Sequence, residues 1–455
     1  MEKSKLPLFP YQQKDVDLLY QIGSGLLGNE PGTGKTLTTI ALAEKIEARK
    51  ILVFCPSVLK YQWAKEIAKF TPHRKAIVIE GAKSERDGLW VKDCDYYIAN
   101  YELLLRDFDT IQASRPWWDL LLSDEATKIS NPKAKCTRLI MQLKANRRVA
   151  MTGTPISNTP QNLWSVMTFC RPGYLGNYWR FISRYCIKNE WNAIVAYQNL
   201  EELRVKISRY MIRRTKQEVL PELPDKIETD VTFVLSKEEQ ALQKKIKKEL
   251  LAEIEKNDID KVEKPQNIQF TLTKMIRLRQ LADSMELLGS NEKSSKMEVL
   301  AELLEENQEH KIIIFSEFSE MCKIIKRKYP QSVMIIGETK DEERQKVLKE
   351  FNENPEKKLC ILSSAGQFGL NIQVSDTIIN YDLPFSLAKF EQRIGRAHRI
   401  GQKNTVMVYN LLGVGTLDFA VKKILYKKAD LSSQLLGKEP ISIKEVKDLL
   451  TYEPE

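Results

Sequence analysis

The chain has 455 residues, 42% of them hydrophobic, with Gly 19 and Pro 18; collagen-like and low-complexity classes are excluded, and the length fits about three domains or two large ones with an insertion. Lys and Arg number 71 against 61 Asp and Glu, a formal charge of +10, and such a surplus favours an anionic partner, nucleic acid first, through many weak phosphate contacts. The longest apolar runs, such as Ile51–Cys55, fall far short of the roughly 18 residues a membrane span needs, and Met1–Pro10 holds Lys3 and Lys5 but no apolar core of secretory length. Seven cysteines (55, 94, 136, 170, 186, 322, 360) lack C-x-x-C spacing and there are three histidines, which argues against a zinc cluster and for free thiols in a reducing cytoplasm, each a small buried hydrophobe.

In chain order, the first half alternates short apolar runs with helix-length amphipathic segments: Ile51–Cys55, Ala76–Ile79, Tyr96–Ala99, Leu120–Leu122 and Val149–Met151. From about 160 to 295 the pattern turns helical and lysine-rich, with Ser236 and Glu239 as a capping box opening a helix through Lys248. Pro221–Asp230 and Gly289–Lys296 read as connectors, and Glu255–Asn267 as a polar loop. The first rhythm then returns in Ile312–Phe315, Val333–Ile336, Leu359–Leu362, Thr377–Tyr381 and Val406–Tyr409. Thr339 with Glu342 is predicted to cap a helix whose Val347, Leu348 and Phe351 form one apolar stripe. Buried runs each followed by a helical pattern read as parallel strands with crossover helices. The prediction is an α/β protein of two lobes with parallel sheets: 1–165 the first lobe, 166–295 a helical insertion and linker, 296–435 the second lobe, 436–455 a tail.

The strongest chemical signal is Gly32-Thr33-Gly34-Lys35-Thr36, followed by the helical pattern Leu37–Ile46. Glycines let backbone N–H groups close around phosphate oxygens, a lysine reaches the outer phosphates, and a hydroxyl holds magnesium; the helix N-terminus adds its dipole. Asn29 stands where the loop's first glycine is usual, with Gly28 one residue earlier. About 90 residues further on, the run Leu120–Ser123 ends in Asp124-Glu125. Asp124 is expected to hold Mg²⁺ together with Thr36, and Glu125 to orient and polarise an attacking water. A third element is Gln392–Gln402, in which Arg396 and Arg399 lie three apart. On one helix they would share a face, and guanidinium groups aimed across a cleft stabilise charge on a transferring phosphoryl group.

Together these motifs resemble a superfamily-two helicase-like ATPase, specifically the SWI/SNF-related group of double-stranded-DNA translocases. Tyr11-Gln12 is similar to that family's adenine-reading glutamine motif, Asn29–Thr36 to its motif I, Leu52–Pro56 with Trp63 and Glu66 to motif Ia, Ala99–Glu102 to the element that follows, and Asp124–Thr127 to motif II. Met151–Asn158, ending in Asn162–Trp164, resembles motif III, and Ile313–Glu317 motif IV. Gly366, Gly369 and Asn371 resemble motif V, and Gln392–Gln402 motif VI. Arg213–Lys216, Val219–Pro221 and Leu223–Lys226 form a run associated with this group. The resemblance departs at Thr127, where motif II usually has histidine, and at Ala365–Gly369, where motif V usually has a double glycine after an arginine.

The resemblance implies two RecA-like lobes, with ATP and Mg²⁺ as cofactors and a motor of the stand-alone bacterial or phage type. Lys35, Asp124, Glu125, Gln392, Arg396 and Arg399 would be catalytic. Gln12, Gly32, Thr33, Gly34, Lys35 and Thr36 would bind nucleotide, and Thr154, Arg213, Arg214 and Asn371 nucleic acid. Following the resemblance, the basic cluster in residues 201–220 (Arg204, Lys206, Arg209, Arg213, Arg214 and Lys216) would contact duplex or pack against motif VI, and Lys323–Lys328 reads as a solvated helix face or a second contact. Trp117, Trp118 and Trp179 read as core, His73 and His310 as surface. The expected activity is ATP-driven translocation on double-stranded DNA by a cytoplasmic, monomeric protein with no membrane partner, acting on DNA or DNA-bound proteins. The alternatives are a strand-separating or annealing helicase for DNA or RNA, and a non-enzymatic scaffold, against which the intact Lys35, Thr36, Asp124, Glu125, Arg396 and Arg399 argue.

Overall fold

The computed structural model describes residues 6–153, 160–189, 194–220, 222–256, 265–290, 292–364, 366, 372–423 and 425. Its contacts divide them into two units, 6–222 and 223–425.

The first unit carries β1 (Gly25–Leu27), β2 (Ile51–Cys55), β3 (Ala76–Val78), β4 (Tyr96–Asn100), β5 (Trp118–Asp124), β6 (Ala145–Met151), a hairpin of β7 (Cys186–Lys188) and β8 (Ile194–Tyr197), and β9 (Met211–Ile212). Seven of these form one sheet in the order β3-β4-β2-β5-β6-β1-β9, and every pairing in it is parallel. A strand buried on both faces needs apolar residues of both parities. Leu52 and Phe54 of β2 accordingly enter one core and Ile51, Val53 and Cys55 the other.

The second unit carries β10 (Lys226–Phe233), β11 (Ile312–Ser316), β12 (Val333–Ile335), β13 (Leu359–Ser363), β14 (Thr377–Asn380) and β15 (Val406–Gly413). They form a six-stranded sheet, β10-β15-β14-β11-β13-β12, again parallel throughout. Ile313 and Phe315 of β11 face one core, Ile312 and Ile314 the other. Every apolar run predicted as a strand is one.

Several elements differ from the sequence reading. The stretch 166–295 is helical at Tyr178–Tyr185, Leu200–Ser208, Lys237–Lys256 and Pro265–Asp283, but it also supplies β9 to the first sheet and β10 to the second. Residues 226–230, read as connector, are therefore strand. β10 is an edge strand with mostly exposed side chains, so it carries no apolar run to reveal it. The polar loop expected at Glu255–Asn267 lies largely outside the described residues. Ser236 and Glu239 do form the reciprocal cap, with Ser236 N donating to Glu239 Oε2 (2.8 Å) and Glu239 N to Ser236 Oγ (3.2 Å). The Thr339 cap moves: the helix begins at Asp341 with Lys340 as its cap, and Thr339 Oγ1 instead accepts from Ile336 N at 3.0 Å. Leu348 and Phe351 are buried as expected. Trp118 is core, whereas Trp117 and Trp179 are 50% and 72% exposed. Trp118 opens β5 and is wholly buried, whereas Trp117 precedes the strand. Among the described residues no helix is long and apolar enough to cross a membrane.

Candidate nucleotide-binding site

In a parallel sheet with crossover helices, ligands sit outside the carboxyl ends of the strands. At that edge of the first sheet β1 runs into the loop 28–34, β5 ends at Asp124, and β6 lies between them. The loop leads into the helix Lys35–Lys45, whose first turn carries Lys35 and Thr36.

Two glycines give the loop its shape. Gly32 and Gly34 have φ of +88° and +72°, a region where a Cβ is disfavoured. A Cβ on Gly34 would also meet the Gln12 amide nitrogen at 2.4 Å. Gln12 lies on the helix Pro10–Ile22, and its Nε2 donates to the carbonyls of Thr33 and Gly34, both at 3.3 Å, while its Oε1 accepts from Phe9 N at 3.0 Å. One residue earlier, Tyr11 Oη donates to Thr33 O at 2.8 Å. Burial, then the nearby Asp15, pushes that phenol up to about 12, so it stays protonated as a donor. Thr33 Oγ1 closes the loop on itself by donating to Glu30 O (2.8 Å).

Lys35 Nζ donates to the carbonyls of Asn29 (2.8 Å) and Glu30 (3.1 Å). Burial holds its ammonium below the usual lysine value against the opposing pull of Glu125, Asp124 and Glu30, and the charge of Arg213 adds to the lowering. Both carboxylates of the acidic pair are thus near enough for Lys35 to feel them. Asp124 is oriented from two sides, with Trp63 Nε1 donating to Oδ2 (2.8 Å) and Glu125 N to Oδ1 (3.0 Å). Tyr101 Oη donates to the Asp124 carbonyl at 2.6 Å. Glu125 has φ of +51°, a left-handed conformation that costs a non-glycine residue roughly 1–2 kcal/mol and that clusters at functional sites. Thr127, in place of the usual histidine, has Oγ1 3.4 Å from the Glu125 carbonyl. Thr152 N donates to Leu27 O (3.2 Å), and Gly153 lies so close that a Cβ there would meet Pro31 Cγ at 2.6 Å. The start of the motif III stretch therefore packs on the loop.

These residues suit a nucleoside triphosphate with a divalent cation. The loop's backbone lies too close to Gln12 for a side chain at Gly34, and among the described residues the buried Asn29 Oδ1 has no hydrogen-bond partner. A hydroxyl and a carboxylate are the hard oxygen donors that Mg²⁺ takes beside phosphate oxygens.

In the second unit, Arg396 and Arg399 do not share a helix. The helix Leu387–Ile394 stops before them because the backbone tightens: Arg396 N and Ala397 N bond three residues back, at 3.1 and 3.2 Å. Both lie in the turn that follows. Gln402 fastens that turn, its Nε2 donating to the carbonyls of Ser375 (2.8 Å) and Gln373 (3.1 Å). His398 Nε2 is paired with Pro224 O at 2.8 Å. Gln392 is buried on the helix.

Sequence reasoning missed what holds this helix. Arg393, wholly buried, donates to Glu317 Oε1 (2.7 Å), Asp382 O (2.6 Å) and Asn380 Oδ1 (3.2 Å). Burial pushes the Glu317 carboxyl up, but Arg393 and Lys389 outweigh it and hold it below the usual range. The motif IV and motif VI stretches are thereby tied within one unit. Position in the Gln392–Gln402 match was the only signal for Arg393, and nothing marked Asp382.

Among the residues expected to touch nucleic acid, Thr154 and Asn371 lie outside the described residues. Arg213 is exposed. Arg214 Nε is 2.6 Å from Asp15 Oδ1 in the first unit. Arg204 and Lys206 lie near Glu201 and Glu202, at 3.7 and 3.3 Å. Of the Lys323–Lys328 cluster, Lys323 pairs with Glu320 (2.7 Å), Arg327 with Glu286, and Lys326 donates to Pro330 O (2.7 Å), which fits a solvated helix face. His73 and His310 are exposed. All seven cysteines are free thiols.

Residues 11–287 match the SNF2-related domain, and residues 295–401 the helicase conserved C-terminal domain. The chain is 29% identical over 433 residues to an uncharacterized ATP-dependent helicase of Mycoplasma genitalium, spanning 90% of this chain and 40% of that protein. It is 28% identical over 476 residues to a putative ATP-dependent helicase/translocase of Bacillus subtilis, 98% of this chain and 51% of that protein. The chain thus spans about two-fifths to one-half of these relatives. A solved Sulfolobus solfataricus SWI2/SNF2 ATPase core in complex with dsDNA is 32% identical, with 99% of this chain and 97% of that chain covered and a TM-score of 0.46. With more than half of its length matched by that one domain, the chain belongs to the SNF2-related family.

Proposed function

We propose that this chain hydrolyses ATP and uses the cycle to move along double-stranded DNA, remodelling the DNA or what is bound to it, and that it acts as a monomer. The observation that carries the reading is that the Gly32–Thr36 loop and the Asp124-Glu125 pair lie at the same edge of one parallel sheet, with Lys35 within electrostatic reach of both carboxylates. Membership of the SNF2-related family supports it, as does the charge of +10.

In this reading the loop's N–H groups and the helix N-terminus receive the phosphates, and Lys35 exchanges its carbonyl partners for the outer phosphate oxygens. Mg²⁺, held by Thr36 and Asp124, would neutralise phosphate charge. Glu125 orients a water and accepts its proton as the water oxygen attacks the terminal phosphorus and the bond to the leaving ADP oxygen breaks. Trp63 and Tyr101 keep the acidic pair aimed. Gln12 would read the adenine edge by giving up its bonds to Thr33 O and Gly34 O, and so would report nucleotide to the loop that it touches. Arg396 and Arg399 offset charge developing on the transferred group, a contribution of about 10³–10⁵ in rate for one such arginine, while Gln392 and Arg393 hold their turn in place.

The test is the ATPase rate with duplex, forked and single-stranded DNA and with RNA, over a salt series. Duplex DNA should stimulate most, and the stimulation should fall steeply with salt. Equal stimulation by RNA or single strands would move the reading to a strand-separating helicase.

A further inference from the structure

A loop that must hold three phosphates needs something behind it, and here the support comes from far along the chain. β9 pairs with β1, with Leu26 opposite Met211 and Leu27 opposite Ile212. The pairing continues into the loop: Gly28 N donates to Ile212 O (2.7 Å) and Glu30 N to Arg214 O (3.1 Å). Lys216 N then donates to Glu30 Oε2 at 2.9 Å. Residues 211–216 thus lie as a strap along residues 28–30.

Side chains tie the same two segments. Asn29, at the place of the usual glycine, donates through Nδ2 to Asp15 Oδ2 (2.7 Å), and Asp15 Oδ1 receives Arg214 Nε (2.6 Å). Asp15 is 0% exposed and Asn29 1%. A carboxylate buried to that degree needs a paired cation and satisfied oxygens, and Arg214 and Asn29 supply both. The carbonyl of the same Asn29 accepts Lys35 Nζ at 2.8 Å, so the position of one residue fixes both the loop's entry and the resting place of the lysine that meets phosphate. Successive residues on an extended strand point to opposite sides. The hydrogen bonds from Gly28 N and Glu30 N place the strap beside the loop, and as Arg214 turns to Asp15 the charge of Arg213 adds to the lowering of the Lys35 ammonium.

We propose that Arg214, acting through Asp15 and Asn29, is a positioning residue for the phosphate loop, so that the strap 211–216 sets how well nucleotide is held. The proposal rests on reading residues 28–36 as the nucleotide loop. It gives Arg214 a role other than contact with DNA, and it makes the segment that precedes the second unit a lever on nucleotide affinity.

The experiment measures the KM for ATP, kcat at saturating ATP, and duplex affinity without nucleotide for Arg214→Gln, Asn29→Ala and the double variant of the full chain. Arg214→Gln should raise KM by about 10–100-fold, the scale of lost partners behind a ligand-holding group, with kcat within about threefold and duplex affinity unmoved. The two substitutions should be non-additive in KM because they break one relay, and Arg214→Lys should restore part of the loss. Duplex affinity lost with KM unmoved overturns the proposal in favour of a DNA contact, and full additivity overturns the relay. If Arg214→Gln does not melt cooperatively, Asn29→Ala decides, since it leaves the Arg214–Asp15 pair intact; a parental KM there overturns the proposal. Lys35→Ala separates the two layers. If it leaves ATP binding intact, the nucleotide-loop reading itself falls; if it abolishes binding while the relay variants leave KM unmoved, only the relay falls.

Discussion

Substituting Gly34→Ala tests the loop geometry with a single methyl group. Two costs can be worked from the structure. At φ of +72° an alanine pays roughly 1–2 kcal/mol for the left-handed conformation. Its Cβ would also lie 2.4 Å from Gln12 Nε2, so the amide must leave its bonds to Thr33 O and Gly34 O. Those bonds are long, at 3.3 Å each, and losing both costs about 1–2 kcal/mol. If nucleotide demands the native loop, the sum of about 2–4 kcal/mol appears as affinity, a weakening of roughly 30- to 800-fold. Equilibrium titration with a fluorescent ATP analogue reads it directly, with a melting curve to confirm that the first unit remains folded. Adding Gln12→Ala should recover nothing of the conformational part and should cost less in the Gly34→Ala background than alone, because the contact is already broken. A Gly34→Ala protein that binds ATP within twofold of the parent would refute the assignment of this loop to phosphate.

Three other outcomes follow from the same geometry. Trp63→Phe removes the indole N–H that orients Asp124 and should raise the Mg²⁺ concentration for half-maximal ATPase by about 10–100-fold; an unshifted Mg²⁺ titration would show that the indole does not aim the ligand. In the second unit the buried Lys296 lies 2.8 Å from Asp283 and 2.9 Å from Asp418, and those carboxylates outweigh the effect of burial to hold its ammonium above the usual value. Lys296→Met leaves two carboxylates unpaired and should destabilise by about 3–5 kcal/mol, lowering the melting temperature by roughly 6–20 °C for a unit of this size; a shift within 1 °C would contradict the pairing. Burial pushes the thiols of Cys136 and Cys170 up to about 11 and about 12. A raised acid contributes stability that is complete below its unfolded value and is lost as pH climbs through the folded one, so the urea midpoint should be level from pH 7 to about 8.5 and fall above it, and a midpoint that rises there would contradict thiol burial.

How much of this was legible in the sequence depended on whether a residue announces its own environment. β2 is five apolar residues in a row and β11 four followed by Ser316, because both faces of each are covered, and such a run can be read without partners. That Lys35, Asp124 and Glu125 would gather at one sheet edge was legible because phosphate chemistry, were it theirs, dictates residue type and order. β1 and β9 are three and two residues long, too short for any period, and β10 is a polar edge strand. Arg214 gave a charge and a place in the Arg213–Lys216 run, neither of which names its partner. Its carboxylate partner lies 199 positions away, and a charge run looks the same whether it meets solvent, nucleic acid or a buried aspartate. Arg396 and Arg399 had the right spacing for a helix, but spacing does not reveal that the backbone tightens after Ile394. Trp179 is exposed because its helix is amphipathic and the indole lies off the buried stripe of Phe181, Ile182 and Tyr185.

The most direct measurement is ATP binding and turnover side by side in Glu125→Gln, at saturating duplex DNA. Glutamine keeps the size of the side chain and the oriented loop but cannot take a proton from water. ATP affinity should remain near parental while turnover drops by at least about 100-fold, the scale of a lost general base. Turnover at the parental rate would mean that the acidic pair at the end of β5 does not perform the chemistry, and the motor assigned to this sheet edge would have to be abandoned.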